Sequence, residues 1–182
     1  CLNNEKQLAL GLHNHHDVKG HFPHGCYNLI DVVTNTPAPY SGKQDRRCWA
    51  HDLWPFVEQA SIYADFDAHM ATGKSALAFP LMQNVMPVFM CPSDPVSPKT
   101  VTFWGGLGGS LTPHQGFSGN YIAAMSSEYF RRNNNNDSLD LDGIFYSISK
   151  TRFADITDGS SNTILLSELI LSPDTTGHDI RG

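Results

Sequence analysis

The sequence predicts an α+β domain in which a long N-terminal helix packs on an antiparallel β-sheet, with long loop insertions. Three observations lead there. Residues 1–16 carry apolar side chains at helical spacing, three short β-like runs fall within residues 119–169, and the chain is rich in Asn, Ser, Thr, Gly and Pro. The helix needs the sheet to bury its stripe.

In the first segment Cys1, Glu5, Leu8 and Leu12 recur at helical spacing with Leu2 and Ala9 beside them. No Ser, Thr, Asp or Asn precedes the periodic residues as a cap. Two readings follow: an ordinary helix that frays at its first turn, or the polar half of a longer spine whose beginning lies upstream. The far end is finished by Gly20 and then Pro23. Residues 25–47 read as a long irregular stretch, with a candidate strand at 27–33 and Pro37 and Pro39 as breakers. Trp49, Leu53, Phe56, Val57, Ala60, Ile62 and Tyr63 predict a short amphipathic helix beginning around Pro55, with its aromatic face in the core. A second helix is expected over 75–86, ended by Pro87, then a strand over 88–91 entering the turn Pro92-Ser93-Asp94-Pro95. The glycines around Leu107 predict a loop or flexible hairpin over 97–119. The remaining text turns β-like, with strands expected at 119–125, 143–148 and 163–169. One domain over 1–182 is therefore expected, with 1–17 as its helix, 25–119 as a helical and loop insertion region, and 120–182 as its β-rich part.

Composition narrows the function. Charged residues make up only 16% and the net charge is −6, so no basic stripe is present to neutralise phosphates; nucleic acid is not an expected partner. No run approaches the roughly 20 apolar residues of a membrane span. Contact with a membrane is expected only through a helix upstream of Cys1. The four cysteines are widely spaced and lack C-x-x-C pairs. They read as disulfides in an exported protein, against buried thiols as the alternative. Three pairings are open to them. The favoured one joins Cys26 with Cys48, closing the Pro-rich loop between them, and Cys1 with Cys91, fastening the helix to the body.

Several motifs resolve into plain structure. Gly73-Lys74-Ser75 resembles the tail of a phosphate loop, but position 68 holds Ala68 where that loop needs glycine. His13, His15, His16, His21 and His24 crowd one helix end, where cationic imidazole is favoured, and no H-E-x-x-H is present. Asp137, Asp140 and Asp142 alternate in a turn ending at Gly143 and are the candidate calcium ligands, with a solvated acidic turn as the alternative. Asn136-Asp137-Ser138 is a glycosylation sequon. No G-x-S-x-G elbow or catalytic motif order occurs, so an enzyme is not expected. The run from Asp155 to Thr163 is rich in polar groups, yet Asp158-Gly159 reads as a chain reversal.

An ordered set of motifs carries a resemblance. It comprises Asn3-Asn4-Glu5-Lys6-Gln7-Leu8-Ala9-Leu10-Gly11-Leu12-His13-Asn14-His15-His16-Asp17, Gly20-His21-Phe22-Pro23, Trp54-Pro55-Phe56-Val57-Glu58-Gln59, Phe89-Met90-Cys91-Pro92-Ser93-Asp94, Asn120-Tyr121, and Asp155-Ile156-Thr157-Asp158-Gly159-Ser160-Ser161-Asn162-Thr163-Ile164-Leu165-Leu166-Ser167-Glu168. In this the chain resembles the planctomycete prepilin-like family of domain of unknown function 1559, also called solute-binding protein family 10. The resemblance implies a pilin-like fold, a prepilin leader and apolar helix running into Cys1-Leu2-Asn3-Asn4, and a C-terminal H-x9-D-G segment beyond Gly182. It supplies no catalytic residues.

The expected function is that of an extracytoplasmic pilin- or pseudopilin-like subunit that assembles with copies of itself into a fibre or secretion pseudopilus. Leu2, Leu8 and Leu12 are the expected packing residues. The rival is an extracellular solute- or glycan-binding module using Trp49, Trp54, Trp104 and Tyr129 as stacking platforms, with core packing the better account of Trp49 and Trp54. No cofactor other than calcium is expected.

Overall fold

A computed structural model describes residues 1–27, 47–105, 111–125, 143–146 and 148–171. The fold is α+β, an N-terminal helix joined to small antiparallel sheets, and is consistent with a pilin-like arrangement. Helix α1 spans Leu2–Lys19 and stops where Gly20 turns left-handed at φ 78°, its N–H donating to His16 O at 2.7 Å. Cys1 stands at the N-cap and makes no side-chain cap.

Leu8, Gly11, Leu12 and His15 form the buried face of α1, and their 3- and 4-residue spacing puts them on one side of a 3.6-residue helix. They lie against α2 (Trp49–Leu53) and the 3₁₀ turns Trp54–Phe56 and Pro87–Phe89. Leu8 and Leu12 are fully buried in the domain's own core, and only Leu2, 64% exposed, remains available to a neighbour. The expectation that all three serve assembly is corrected accordingly: the body of the same chain claims the stripe.

The middle of the chain is more broken than its periodicity predicts. The helix expected around Pro55 is instead α2, a 3₁₀ turn over Trp54–Phe56, a left-handed Glu58 at φ 63°, and then α3 over Ala60–Ala71. Pro55 lacks an N–H and sits where a tight turn can begin but a continuing helix cannot pass. The helix expected over 75–86 shrinks to a 3₁₀ turn at Ala76–Ala78 because Pro80 interrupts it. The strand expected over 88–91 is a 3₁₀ turn, Pro87–Phe89, with Met90 extended after it.

Two two-stranded antiparallel sheets follow among the described residues. β1 (Lys99–Gly105) pairs with β2 (Leu111–Ser118), with an irregularity between Lys99 and Val101. β3 (Tyr121–Ala123) pairs with β4 (Leu166–Glu168), setting Tyr121 opposite Glu168 and Ala123 opposite Leu166. Of the strand expected at 143–148, the described residues 143–146 and 148 form none. Ile144 and Phe145 both donate to Ala124 O, and Ile148 is left-handed at φ 54°. A cluster of buried apolar side chains runs from Leu8 and Leu12 through Phe22, Trp54, Phe66 and Phe89 to Phe145 and Leu166. Of the strand expected at 27–33, residues 28–33 lie outside the described residues.

The two faces of α1 make opposite predictions. Leu12→Ala should cost about 2–5 kcal/mol by opening a core cavity, whereas Leu10→Ala, at a residue 61% exposed, should change stability by no more than about 0.5 kcal/mol. Urea denaturation of both variants checks this, and equal effects would overturn the assignment of the faces.

Candidate functional site

The foot of α1 is tied to the body by a polar knot whose members come from two of the sequence motifs, 89–94 and 120–121, and from Val96, Leu169 and Leu171. Its centre is Asn120, which is fully buried. The Asn120 Oδ1 accepts the Cys91 N–H at 2.8 Å, and its Nδ2 donates to Leu169 O at 3.0 Å and to the Asp94 carboxylate. Its own N–H donates to Phe89 O at 2.8 Å, and its carbonyl accepts the Leu169 N–H at 2.7 Å. A buried amide stabilises only when its donors and acceptors are met, and here both ends of the side chain are engaged.

Asp94 completes the knot. Its carboxylate accepts the Val96 and Leu171 N–H groups, each at 2.9 Å, besides the Asn120 amide. Burial pushes the Asp94 pKa up, but the hydrogen bonds from Leu171, Val96 and Asn120 outweigh it and hold the carboxyl below its ordinary value. Strand β3, the turn at 91–96 and the exit of β4 are thereby locked together.

Onto this knot the first helix is fastened. Cys1 and Cys91 are joined as a disulfide with Cα atoms 4.7 Å apart. Asn4 Nδ2 donates to Pro87 O at 2.9 Å and Met90 O at 2.7 Å, and the Tyr121 hydroxyl donates to Cys1 O at 3.1 Å. Burial, followed by the Glu168 and Glu5 charges, raises the Tyr121 pKa and keeps that hydroxyl a donor.

A second polar cluster closes the neck of the segment between Tyr27 and Arg47. The buried Arg47 donates from Nε to Asp52 Oδ1 at 2.9 Å, and its Nη2 lies 2.7 Å from the same oxygen. Tyr27 donates to Asp52 Oδ2 and Arg47 to the Tyr63 hydroxyl, both at 2.8 Å. Burial alone would lower the Arg47 pKa, but Asp52, Tyr27 and Tyr63 raise it and keep the guanidinium charged. Gly25 approaches Phe145 O so closely that a Cβ would collide with it.

Cys26 and Cys48 sit opposite each other at this neck across an isolated antiparallel bridge. Tyr27 N donates to Arg47 O and Trp49 N to Gly25 O, so the two cysteines occupy a non-hydrogen-bonded pair. Such pairs place Cα atoms about 4.5 Å apart, within the reach of a disulfide. Both are thiols in the structure, so the second expected bridge is not formed there. Burial pushes the Cys48 thiol up to about 11 and the neighbouring His51 down to about 4, although the His51 Nδ1 lies 3.2 Å from Cys48 Sγ. A protonated thiol beside a neutral imidazole is a poor nucleophile, and the pair reads as packing.

The crowded histidines are packing groups too. His15 is buried with its Nδ1 3.0 Å from His21 O, and the His16 Nε2 accepts the Phe153 N–H at 3.3 Å. Among the described residues one group has metal-ligand spacing, Cys1, Cys91 and Glu168, and its two sulfurs are spent in the disulfide. Asp137, Asp140, Asp142, Asn136 and Tyr129 lie outside the described residues. Trp54 is core at 6% exposure, Trp49 packs near Phe89 and Phe145, and Trp104 lies on β1 opposite Thr112.

A family model described as a protein of unknown function (DUF1559) matches residues 1–181. The chain belongs to the SBP_bac_10 family. No curated protein and no solved structure matches it. In this SBP_bac_10 chain the segments 89–94 and 120–121, read from the sequence as separate motifs, meet at one knot, beside the end of the 155–168 motif. No sequence signal marks Asn120 as its centre beyond the Asn-Tyr pair itself.

Asn120→Ala strips the knot of its centre and leaves buried groups unpaired, so a loss of about 2–4 kcal/mol is expected in chemical denaturation. A loss below about 1 kcal/mol would remove Asn120 from that role. Acid should destabilise the protein as well. With its folded pKa near 4 and an ordinary value of about 6.5, His51 takes up a proton in the unfolded chain first. Stability is therefore full above about pH 6.5 and falls toward pH 4, by up to about 1.4 kcal/mol per unit. Burial lowers His15 and His24 as well and adds to the same trend. Urea midpoints at about pH 7, 5.5 and 4.5 check it, and a flat profile would contradict a neutral buried His51.

Proposed function

We propose that this chain is an extracytoplasmic structural subunit, pilin- or pseudopilin-like, which assembles with copies of itself into a fibre or secretion pseudopilus. The observation that carries the reading is the fastening of α1: one face is locked into the body, and the foot is held by a disulfide and backbone-directed hydrogen bonds. A helix held this way can pass load to the domain behind it. The Cys1–Cys91 disulfide supports an oxidising, exported setting.

The exposed side of α1 supports contact with neighbours. Leu2, Leu10 and Val18 are 64%, 61% and 68% exposed. At about 100° per residue, a step of eight residues advances roughly 80° beyond two full turns. The three side chains therefore wind around the open side and offer apolar contact to more than one copy. Open-ended filaments need such head-to-tail, non-self-complementary surfaces. The work of the protein on this reading is mechanical, without catalysis.

Electron microscopy of the native full-length protein tests this. Filaments are expected, and Leu10→Lys with Val18→Lys should abolish them while leaving the unfolding midpoint of the domain unchanged. Dispersed monomers under every condition would overturn the reading.

A further inference from the structure

The turns at residues 153–163, together with residues 143–146 and 150–151, line a cleft of about 520 Å³. That volume lies within the range of small-ligand sites. The cleft lies apart from the knot, and self-assembly makes no use of it.

Its lining combines apolar surface with polar groups in two states. Ile144 is buried and Ile156 and Tyr146 are half-buried, providing apolar and aromatic surface. Some polar groups are already engaged. Arg152 holds the Asp155 carboxylate at 2.9 and 3.1 Å, and the Thr151 hydroxyl donates to Ile144 O at 3.0 Å. Others are not: the Lys150 ammonium, the Thr157 hydroxyl and the Asp158 carboxylate make no hydrogen bond or ion pair among the described residues.

The turn bearing Asp158 is built rigidly. Gly159 adopts φ 89°, Asn162 Nδ2 donates to Asp158 O at 2.9 Å, and the Thr163 hydroxyl donates to Gly159 O at 3.2 Å. A site whose backbone is already ordered loses less entropy when a ligand arrives. Here the unengaged carboxylate, hydroxyl and ammonium stand beside aromatic and aliphatic surface. Because Arg152 neutralises Asp155, the remaining pair of Lys150 and Asp158 gives the cleft no net charge. An anion would meet Asp158 and a simple cation would meet Lys150.

We propose that this cleft binds a saccharide as a mono- or disaccharide unit. Asp158 accepts from adjacent hydroxyls, Lys150 donates to a hydroxyl or ring oxygen, Thr157 does either, and the apolar face of the ring lies toward Tyr146 and Ile156. The proposal stands apart from self-assembly: either can fail while the other holds.

Saturation-transfer NMR and titration of the full chain test it, with glucose, galactose, mannose, N-acetylglucosamine and cellobiose, and with glycine and glutamate alongside. At least one saccharide should bind in the millimolar range. Asp158→Asn and Thr157→Val, both at exposed positions, should each weaken it about tenfold, near 1.4 kcal/mol, without moving the unfolding midpoint. Absence of saccharide binding, binding of the amino acids only, or saccharide binding that both variants leave unchanged would each overturn the proposal.

Discussion

The geometry of this domain depends on satisfying one buried amide. Asn120 has no contact with water, so each of its polar atoms must find a partner inside the protein or cost about 1–3 kcal/mol. The partners are the main chain at Phe89, Cys91 and Leu169 and the carboxylate of Asp94. Meeting that demand sets the turn after Phe89 against the start of β3 and the exit of β4. Once the turn is set, Cys91 stands where Cys1 can reach it, and Pro87 and Met90 present their carbonyls to Asn4. Placement of the first helix is therefore a consequence of the knot, with the disulfide securing a position the hydrogen bonds already define.

The neck at Tyr27 and Arg47 follows different physics. Burying a guanidinium and a carboxylate removes both from water at a cost that their attraction alone rarely offsets. The site manages it by filling the fork: Asp52 takes Arg47 and Tyr27, while Arg47 also reaches Tyr63 and lies 4.9 Å from the centre of the Tyr27 ring. The chain on either side of the segment 28–46 is held together by that cluster and the Cys26 and Cys48 bridge.

What the sequence disclosed depended on how local the cause was. The end of α1 was legible because Gly20 is a local signal, and β3 and β4 were legible as β-branched and apolar runs, one residue set against the other. Periodicity misled where proline intervened, since Pro55, Pro80 and Pro87 divide the 49–91 region into short helical pieces despite helical spacing of its apolar residues. It misled again at Leu8 and Leu12, because an apolar stripe reads the same whether it faces its own body or another copy. The knot was invisible for a further reason: Asn120, Asp94 and Leu169 lie far apart in the chain, and nothing local marks an asparagine as buried. The Arg47 to Asp52 pair is near in sequence, yet its burial depends on Tyr27 and Tyr63 arriving from elsewhere.

The helix is held at its other end as well. His16 accepts the Phe153 N–H, His13 stacks on the Phe153 ring at 4.9 Å, and Phe22 just past the helix donates to Thr151 O at 2.9 Å. Fastened at the foot by the knot and at the head by the 3₁₀ turn Phe153–Asp155, α1 cannot pivot without breaking contacts at both places. Its exposed side is thus a fixed surface carried by the body. Leu10 and Val18 ride on the same helix that is fastened to residues 151–155, of which Thr151 and Asp155 line the cleft. The exposed side of α1 and the cleft thus share one support, while different side chains set the chemistry of each.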